Sequence, residues 1–321
     1  MELENVLLIG GSGFVGGWIA SCLSERGVRV TIPTRHRDNT KKLIMLPMVS
    51  MIEANVHDSL TLAALMQGQD AVINLVGILH DSDSRLPYGK GFAAAHSELP
   101  GKIIAAMRQS GVRRLAHMSA LQASIKGPSE YLRSKGEGEA LVRAAMPDLD
   151  ITIFRPSVIF GPDDAFLNMF AKLIRLFPIL PLGGGAARFQ PVYVGDVARA
   201  FADCLSDCST VGQTYDLGGP EIYTLREMVE YTAQLVGKSP RIIDLGTGGW
   251  AYLQAGLLWL LPNPPLSPDN LRSMEVDSVT DGSHDYPGWQ PTALEAIAPT
   301  YLSATEMTQI RLDRFRYRAG R

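Results

Sequence analysis

Through the first half of the chain, short runs of β-branched and apolar residues alternate with stretches whose apolar positions recur at helical spacing. This pattern predicts strands at residues 6–9, 28–32, 50–52, 71–75, 114–118 and 151–154, and helices at 14–26, 59–66, 92–109 and 130–145. Near-continuous apolar strands separated by amphipathic helices specify a parallel sheet covered on both faces. Gly27 and Gly111 stand where helix C-termini favour a left-handed residue, and Asp58 stands where a helix wants its N-cap. Beyond Gly161 the alternation fails. A helix is expected at 166–177, a loop at 178–185, a strand at 191–194, a helix at 196–205, a strand at 214–217 and a helix at 225–235. From Arg241 the chain is rich in Gly and Pro, with helices at 250–261 and near 292–304 and no internal repeat. The expected fold class is α/β: a doubly wound parallel sheet over residues 1–160, rejoined by 190–217, with a small C-terminal lobe formed mostly by 161–321.

Composition narrows the function. A chain of 321 residues with 46% hydrophobic and 20% charged residues can bury a full core. A net charge of −3 gives no global attraction for polyanions, so no nucleic-acid partner is expected. Cys22, Cys204 and Cys208 are too few for a disulfide framework, and Cys204 and Cys208 are expected as core-side thiols on one helix face. The strand pattern opens at Asn5, which leaves no room for a leader and points to a cytoplasmic chain. Residues 250–261 are the most apolar stretch, well short of the roughly 20 needed to span a bilayer. A core helix is the favoured reading there, ahead of one lying on a membrane. Six histidines stand at scattered positions without metal-ligand spacing, so no metal is expected.

The chemistry begins at Ile9-Gly10-Gly11-Ser12-Gly13-Phe14-Val15-Gly16. Between a strand and a helix, Gly10 permits a tight turn, Gly13 lets a pyrophosphate reach the backbone, and Gly16 allows close helix–strand packing. The N–H groups of Ser12, Gly13, Phe14 and Val15 then face the phosphates from a helix N-terminus. This is a dinucleotide-binding turn of the Rossmann type. The end of the second strand selects the dinucleotide. Thr34 occupies the place where an NAD site usually carries an acid, and Arg35 and Arg37 follow it. Two guanidinium forks suit a 2′-phosphate, which favours NADP(H) over NAD(H).

Tyr131 and Lys135 lie four apart, one turn along a helix face. A lysine cation and a nicotinamide ring both favour a phenolate, so Tyr131 is expected to titrate below its ordinary value of about 10. With these motifs the chain resembles the extended form of the short-chain dehydrogenase/reductase superfamily. The resemblance runs through Asn55-Val56, residues 70–77, Tyr131/Lys135, the run from Arg155-Pro156 to Gly161-Pro162, and residues 191–197. It implies that Asn55 and Val56 approach the adenine, that Val76 and Gly77 line the adenosine ribose, and that Pro156 flanks the nicotinamide. It also implies Tyr131 as general acid/base, with Lys135 tuning it and holding the ribose. Residues 75–79, 131–139, 159–168 and 190–194 are similar to an atypical subgroup. That subgroup contains the dehydrogenase-like accessory subunit of mitochondrial complex I and bacterial relatives labelled nucleoside-diphosphate-sugar epimerases.

One departure bears on activity. Active extended members carry a Ser or Thr at the end of strand five, where this chain aligns Ala120, with Ser119 one residue early. A one-residue slip turns a side chain to the other face of a strand. Two functions therefore stay open. One is an NADP(H)-dependent oxidoreductase or epimerase-like enzyme using Tyr131, Lys135 and Ser119 on a quinone-like or sugar-nucleotide substrate. The other is a non-catalytic protein that holds NADPH in a respiratory or quinone-related membrane assembly. The second draws on the apolar stretch and on the basic tail 307–321, where five arginines are interleaved with Phe315 and Tyr317, a pattern suited to the inner face of a membrane.

Overall fold

The computed structural model describes residues 3–35, 43–81, 83, 86–258 and 266–303, with the side chains of Leu257 and Leu258 excepted. Arg37 and the basic tail lie outside the described residues. The chain divides into two compact units. The first comprises Met1–Pro156, Val194–Leu217 and Thr280–Trp289. Its seven strands are β1 (Asn5–Ile9), β2 (Arg29–Thr34), β3 (Val49–Glu53), β4 (Ala71–Asn74), β5 (Arg114–Met118), β6 (Asp150–Pro156) and β7 (Thr214–Leu217). They form one parallel sheet in the order β7-β6-β5-β4-β1-β2-β3. The order reverses direction between β1 and β4, the crevice where doubly wound sheets place ligands.

The helices of this unit are α1 (Phe14–Glu25), α2 (Ser59–Leu65), α3 (Leu99–Ser110), α4 (Glu130–Ala144) and α5 (Val194–Cys204). Leu62 of α2, Ile103 and Met107 of α3, and Val142 of α4 share a core with Leu7, Ile9, Val72, Leu115, Ile151 and Ile153 of the sheet. Phe154, on the alternate face of β6, stacks instead on Phe201 of α5 at 4.6 Å. Both sheet faces are thus sealed by helices, which explains strands with so few polar positions. Asp58 caps α2 through Thr61 N–H at 2.9 Å, and Gly111 closes α3 with φ +78°, as the sequence predicts. Thr280–Trp289 joins this unit with no forewarning in the hydrophobic pattern. Helix α5 ends at Cys204, so Cys208 stands exposed in the turn beyond it while Cys204 is buried. The expected shared helix face is not formed.

The second unit comprises Ser157–Tyr193, Gly218–Val279 and Gln290–Arg321. Its core gathers helices Phe166–Leu176, Leu225–Val236 and Leu294–Leu302. The loop expected at 178–185 is largely a strand, Ile179–Gly183, paired in parallel with Arg241–Gly246. Helix Gly249–Leu258 buries Ala251 and Ala255 and leaves Trp250 74% and Leu253 53% exposed. Ala251 and Ala255 thus face the protein and, with Tyr252, pack on Leu271, while Trp250 and Leu253 face outward. The described part of this helix is therefore only partly the expected core helix, and residues 259–261 of that expectation lie outside the described residues. Among the described residues no helix is long and apolar enough to cross a membrane.

Candidate functional site

At the end of β1 the chain turns through Gly10 at φ +85°, a region closed to most L-residues. A Cβ there would stand 3.2 Å from the backbone of Leu75 and Val76, so bare backbone lets the turn approach the exit of β4. A Cβ on Gly16 would stand 2.5 Å from Gly11 Cα, so its absence seats α1 against the turn. Gly13 is exposed and forms the N-cap of α1 without a side-chain cap, and the first turn carries no acid. The opening amides of a helix have no intrahelical acceptor, so Phe14, Val15 and Gly16 present donors and a positive dipole end. Ser12 is exposed beside them. This bare, donor-rich cradle fits a pyrophosphate.

The ends of β2 and β3 lie side by side, with Thr34 in register with Glu53. Thr34 is buried, and its carbonyl accepts from Ala54 N–H at 3.0 Å. Arg35 is exposed, and its charge is felt at His57, whose pKa is lowered by burial first and then by Lys102 and Arg35. Asn55 uses Oδ1 to accept from His57 N–H at 3.0 Å, and Val56 packs against the core. Arg35, Asn55 and Val56 thus gather at one end of neighbouring strands.

After β4 the backbone is pinned on both sides. Val76 N–H donates to Asn74 Oδ1 at 3.2 Å, and Ile78 N–H donates to His96 Nε2 at 3.0 Å. A Cβ on Gly77 would fall 3.2 Å from Lys135 Nζ and 3.5 Å from His96 Nε2. Gly77, Lys135 and His96, positions separated by up to 58 residues, are therefore neighbours, and a side chain at Gly77 would crowd the other two. Since His96 Nε2 accepts, Nδ1 carries the proton and donates to Ser134 Oγ at 2.8 Å. Ser134 in turn donates to the Tyr131 carbonyl at 2.8 Å. The imidazole is 2% exposed, and burial, then Lys135 and His117, push its pKa down to about 2. It is neutral, with a fixed tautomer. His96 sits in a π-helical turn, Ala93–Glu98, that precedes α3, and its ring meets Tyr131 edge-on at 5.6 Å. Sequence reasoning gave this histidine only a generic structural role. A lone imidazole in the run Ala93-Ala94-Ala95-His96 was the available signal.

Helix α4 starts at Ser129, whose hydroxyl accepts from Leu132 N–H at 3.1 Å. It carries Tyr131 half-buried and Lys135 5% exposed. Lys135 Nζ donates to the Met118 carbonyl at the end of β5, at 3.1 Å. Burial pulls the Lys135 pKa down to about 8, with Glu139 acting in the opposite direction. Burial also pushes Tyr131 up to about 12, so the expected lowering of the phenol is not found in the protein alone. Desolvation of the phenolate is the cause of the rise. Ser119, 2% exposed, donates to Glu139 Oε2 at 2.7 Å. Arg155 and Arg143 also donate to that carboxylate, and together these bonds hold it below its ordinary range despite its burial. The structure therefore brings Lys135 to Gly77 and Tyr131 to His96, while Ser119 is engaged with Glu139. Ala120 is buried beside it. Pro156 closes β6, buried, with its carbonyl accepting from Leu121 N–H at 3.1 Å.

A parallel sheet in this order, a glycine cradle at its first turn, and a Tyr–Lys helix beside the β4 exit define a Rossmann-type dinucleotide protein of the extended short-chain dehydrogenase class. The chain belongs to the NAD dependent epimerase/dehydratase family, whose profile matches residues 6–218. It is 32% identical over 301 residues to the mouse mitochondrial NADH dehydrogenase (ubiquinone) 1 alpha subcomplex subunit 9, covering 90% of this chain and 77% of that subunit. Against the Arabidopsis thaliana subunit of the same name it is 32% identical over 245 residues, covering 74% of this chain and 59% of the plant protein. A ceramide reductase of Caulobacter vibrioides is 27% identical over 254 residues, covering 79% and 76% of the two chains. The fold matches a Streptomyces venezuelae dTDP-glucose 4,6-dehydratase solved with NAD, at a TM-score of 0.73, 19% identity, and 93% and 96% coverage.

Proposed function

We propose that this protein binds NADP(H) and acts as an oxidoreductase that reduces a carbonyl, with Tyr131 as its proton donor. The observation that supports this reading is the approach of Lys135 and His96 to the Gly77 position, with the Tyr131 ring edge-on to His96 in the same unit. The dinucleotide, when bound, supplies the hydride. The cradle of Gly10, Gly13 and Gly16 would hold its pyrophosphate, Asn55 and Val56 its adenine end, and Val76 and Gly77 its ribose, with Pro156 towards the nicotinamide. Arg35, exposed beyond Thr34, supports the 2′-phosphate and hence NADP(H) over NAD(H). Tyr131, raised to about 12 by burial, keeps its proton at neutral pH, and the positive nicotinamide ring formed on hydride transfer would lower it towards the working range of a proton donor. Lys135, lowered to about 8, remains largely a cation at pH 7 and anchors the ribose. The name of the Caulobacter relative supports a lipid-borne carbonyl as the substrate; a quinone-like or sugar-nucleotide substrate is the alternative.

A second reading is supported by the engagement of Ser119 with Glu139 and by the respiratory-complex relatives. On that reading NADPH is a resident cofactor, and the exposed Trp250 and Leu253 serve a membrane-associated partner. One experiment separates the two. The purified protein is assayed for released dinucleotide and for NADPH oxidation with a long-chain ketone, a quinone and a sugar nucleotide. Turnover that falls at least about 100-fold in Tyr131→Phe, in line with loss of a general acid, establishes the enzyme. Stoichiometric, slowly exchanging NADPH without turnover establishes the resident-cofactor role. Arg35→Ala is expected to weaken NADPH about tenfold and leave NADH unchanged; an equal loss for both would remove the NADP(H) preference.

A further inference from the structure

In the second unit, strands Ile179–Gly183 and Arg241–Gly246 form a two-stranded sheet with two unlike faces. Leu180, Leu182 and Ile242 point into the helical core. Alternation puts Ile179, Pro181 and Gly183, with Arg241 and Ile243, on the other face. Helix Gly249–Leu258 covers the Gly183 end of that face. A Cβ on Gly183 would lie 3.0 Å from Ala251 Cβ, Leu245 packs against Ala251, Ala255 and Leu271, and Gln254 donates to the Pro181 carbonyl at 2.7 Å. The other end is open among the described residues, with Ile179 51% and Ile243 42% exposed.

We infer that this open face, together with the outward side of the helix, is a docking surface for an anionic lipid leaflet. Its apolar centre is continuous. Leu176 and Phe177, 72% and 50% exposed, lead directly into Pro178 and Ile179, and Arg241 N–H ties the partner strand to the Pro178 carbonyl at 2.8 Å. Trp250, Leu253 and Gln254 share one side of their helix at i, i+3 and i+4. Gln254 in turn is bonded to Pro181, whose neighbour in register is Ile243. Six large apolar side chains exposed along one face form a patch that calls for a partner.

The charges around the patch select the partner. Lys172, Arg175, Lys238 and Arg241 are exposed in the segments that carry it, residues 172–179, 238–243 and 249–258, and these segments hold no Asp or Glu. Lys172, Arg175 and Leu176 lie on one helix face, and Arg241 is in register with Ile179. Asp244, the first acid beyond, alternates to the opposite face and lies beside Gly185. Charges of one sign around an apolar centre suit phosphate headgroups above acyl chains. Lysine and arginine stems lie along the apolar surface there while their heads reach the phosphates, and tryptophan favours the same depth. A second copy of this face would set like charges opposite one another, which disfavours self-pairing. Among the described residues no helix can cross a bilayer, so the contact is peripheral. A lipid partner rests on the second reading only in taking Trp250 and Leu253 as partner-facing. It requires no bound dinucleotide, so its failure and the failure of that reading are told apart.

The test floats the full-length protein with vesicles of phosphatidylcholine alone and of phosphatidylcholine mixed with phosphatidylglycerol. Binding to the mixed vesicles is expected, and raised salt should release most of it. The double variants Lys238→Glu/Arg241→Glu and Trp250→Ser/Leu253→Ser should each weaken that binding at least about tenfold. All four positions are exposed, so thermal midpoints should stay near the parental value and exclude unfolding as the cause. Leu60→Ser, at an exposed apolar position of the first unit, should bind as the parent. No flotation of the parent, equal binding to both vesicle types, or parental binding in both double variants would each overturn the lipid surface. So would a dimer in sedimentation that Trp250→Ser/Leu253→Ser abolishes, without vesicle binding, since the face would then belong to a second copy.

Discussion

His96 shows how much one side chain can hold in place. Its ring accepts from the loop after β4 and, through Ser134, steadies the carbonyl of Tyr131. Replacement by phenylalanine keeps the ring contacts with Phe92 and Tyr131 but removes both hydrogen bonds. His96→Phe is expected to weaken dinucleotide binding about tenfold, the cost of leaving the part-buried Ile78 N–H without a partner. His96→Gln, which keeps an acceptor and a donor, should recover most of the loss. Unchanged affinity in His96→Phe, measured by fluorescence titration, would leave the residue with packing alone. At this scale the sequence was an uneven guide. Gly10, Gly13 and Gly16 were legible because a strand–turn–helix with three glycines has one strong physical reading. The pKa of Tyr131 was not, because desolvation depends on burial that spacing along a helix does not reveal. His96 was missed because its hydrogen-bond partners, Ile78 and Ser134, come from two other segments.

At the scale of elements, helix α4 explains its own composition. Lys135-Gly136-Glu137-Gly138-Glu139 places two glycines inside a helix, where each costs about 1 kcal/mol relative to alanine. Close approach accounts for both. A Cβ on Gly138 would lie 1.8 Å from the His96 carbonyl, and one on Gly136 would lie 2.4 Å from the Ser124 carbonyl carbon. The helix that carries Tyr131 is thus pressed against the π-helical turn on one side and the loop after β5 on another. Gly138→Ala should force these elements apart and destabilise the protein by about 3 kcal/mol or more, since neither neighbour is a flexible side-chain end. Gly101→Ala, in α3 with nothing within 4 Å of its Cβ, should stabilise by about 0.5–1 kcal/mol. Urea denaturation of the pair checks both signs. All seven strands of the main sheet follow from hydrophobic runs and Gly or Asp punctuation. Ile179–Gly183 was hidden because Pro181 and the following glycines read as loop, although Pro181 sits in a two-stranded sheet whose partner is Arg241–Gly246. The helix at 249–258 was apolar all round, so periodicity alone could not reveal that its alanines face inward.

For the whole molecule, two histidines set the acid side of stability. His96 and His117 are 2% and 3% exposed, and burial pushes their pKa values down to about 2 and about 3. His117 Nδ1 meets Asn74 Nδ2 at 3.2 Å; because Asn74 Oδ1 already accepts from Val76, the amide donates and the ring accepts. In the unfolded chain both rings titrate near 6.5. Between pH 6.5 and the lowered values the unfolded state therefore binds more protons than the folded state, so stability rises with pH and is lost on acidification. Each ring contributes a slope of about 1.4 kcal/mol per pH unit, or about 5 kcal/mol for both between pH 6.5 and 4.5. That is comparable with the total stability of a typical domain, 5–15 kcal/mol on order of magnitude. Acid unfolding should therefore begin well above the range in which exposed carboxylates take up protons. Urea midpoints at pH 7, 6 and 5 should fall steadily for the parent, and the fall should be much shallower in His96→Gln/His117→Gln. A parent midpoint flat from pH 7 to 5 would mean that both imidazoles accept protons in the folded state, and the neutral, tautomer-fixed bridge beside Lys135 would be lost with them.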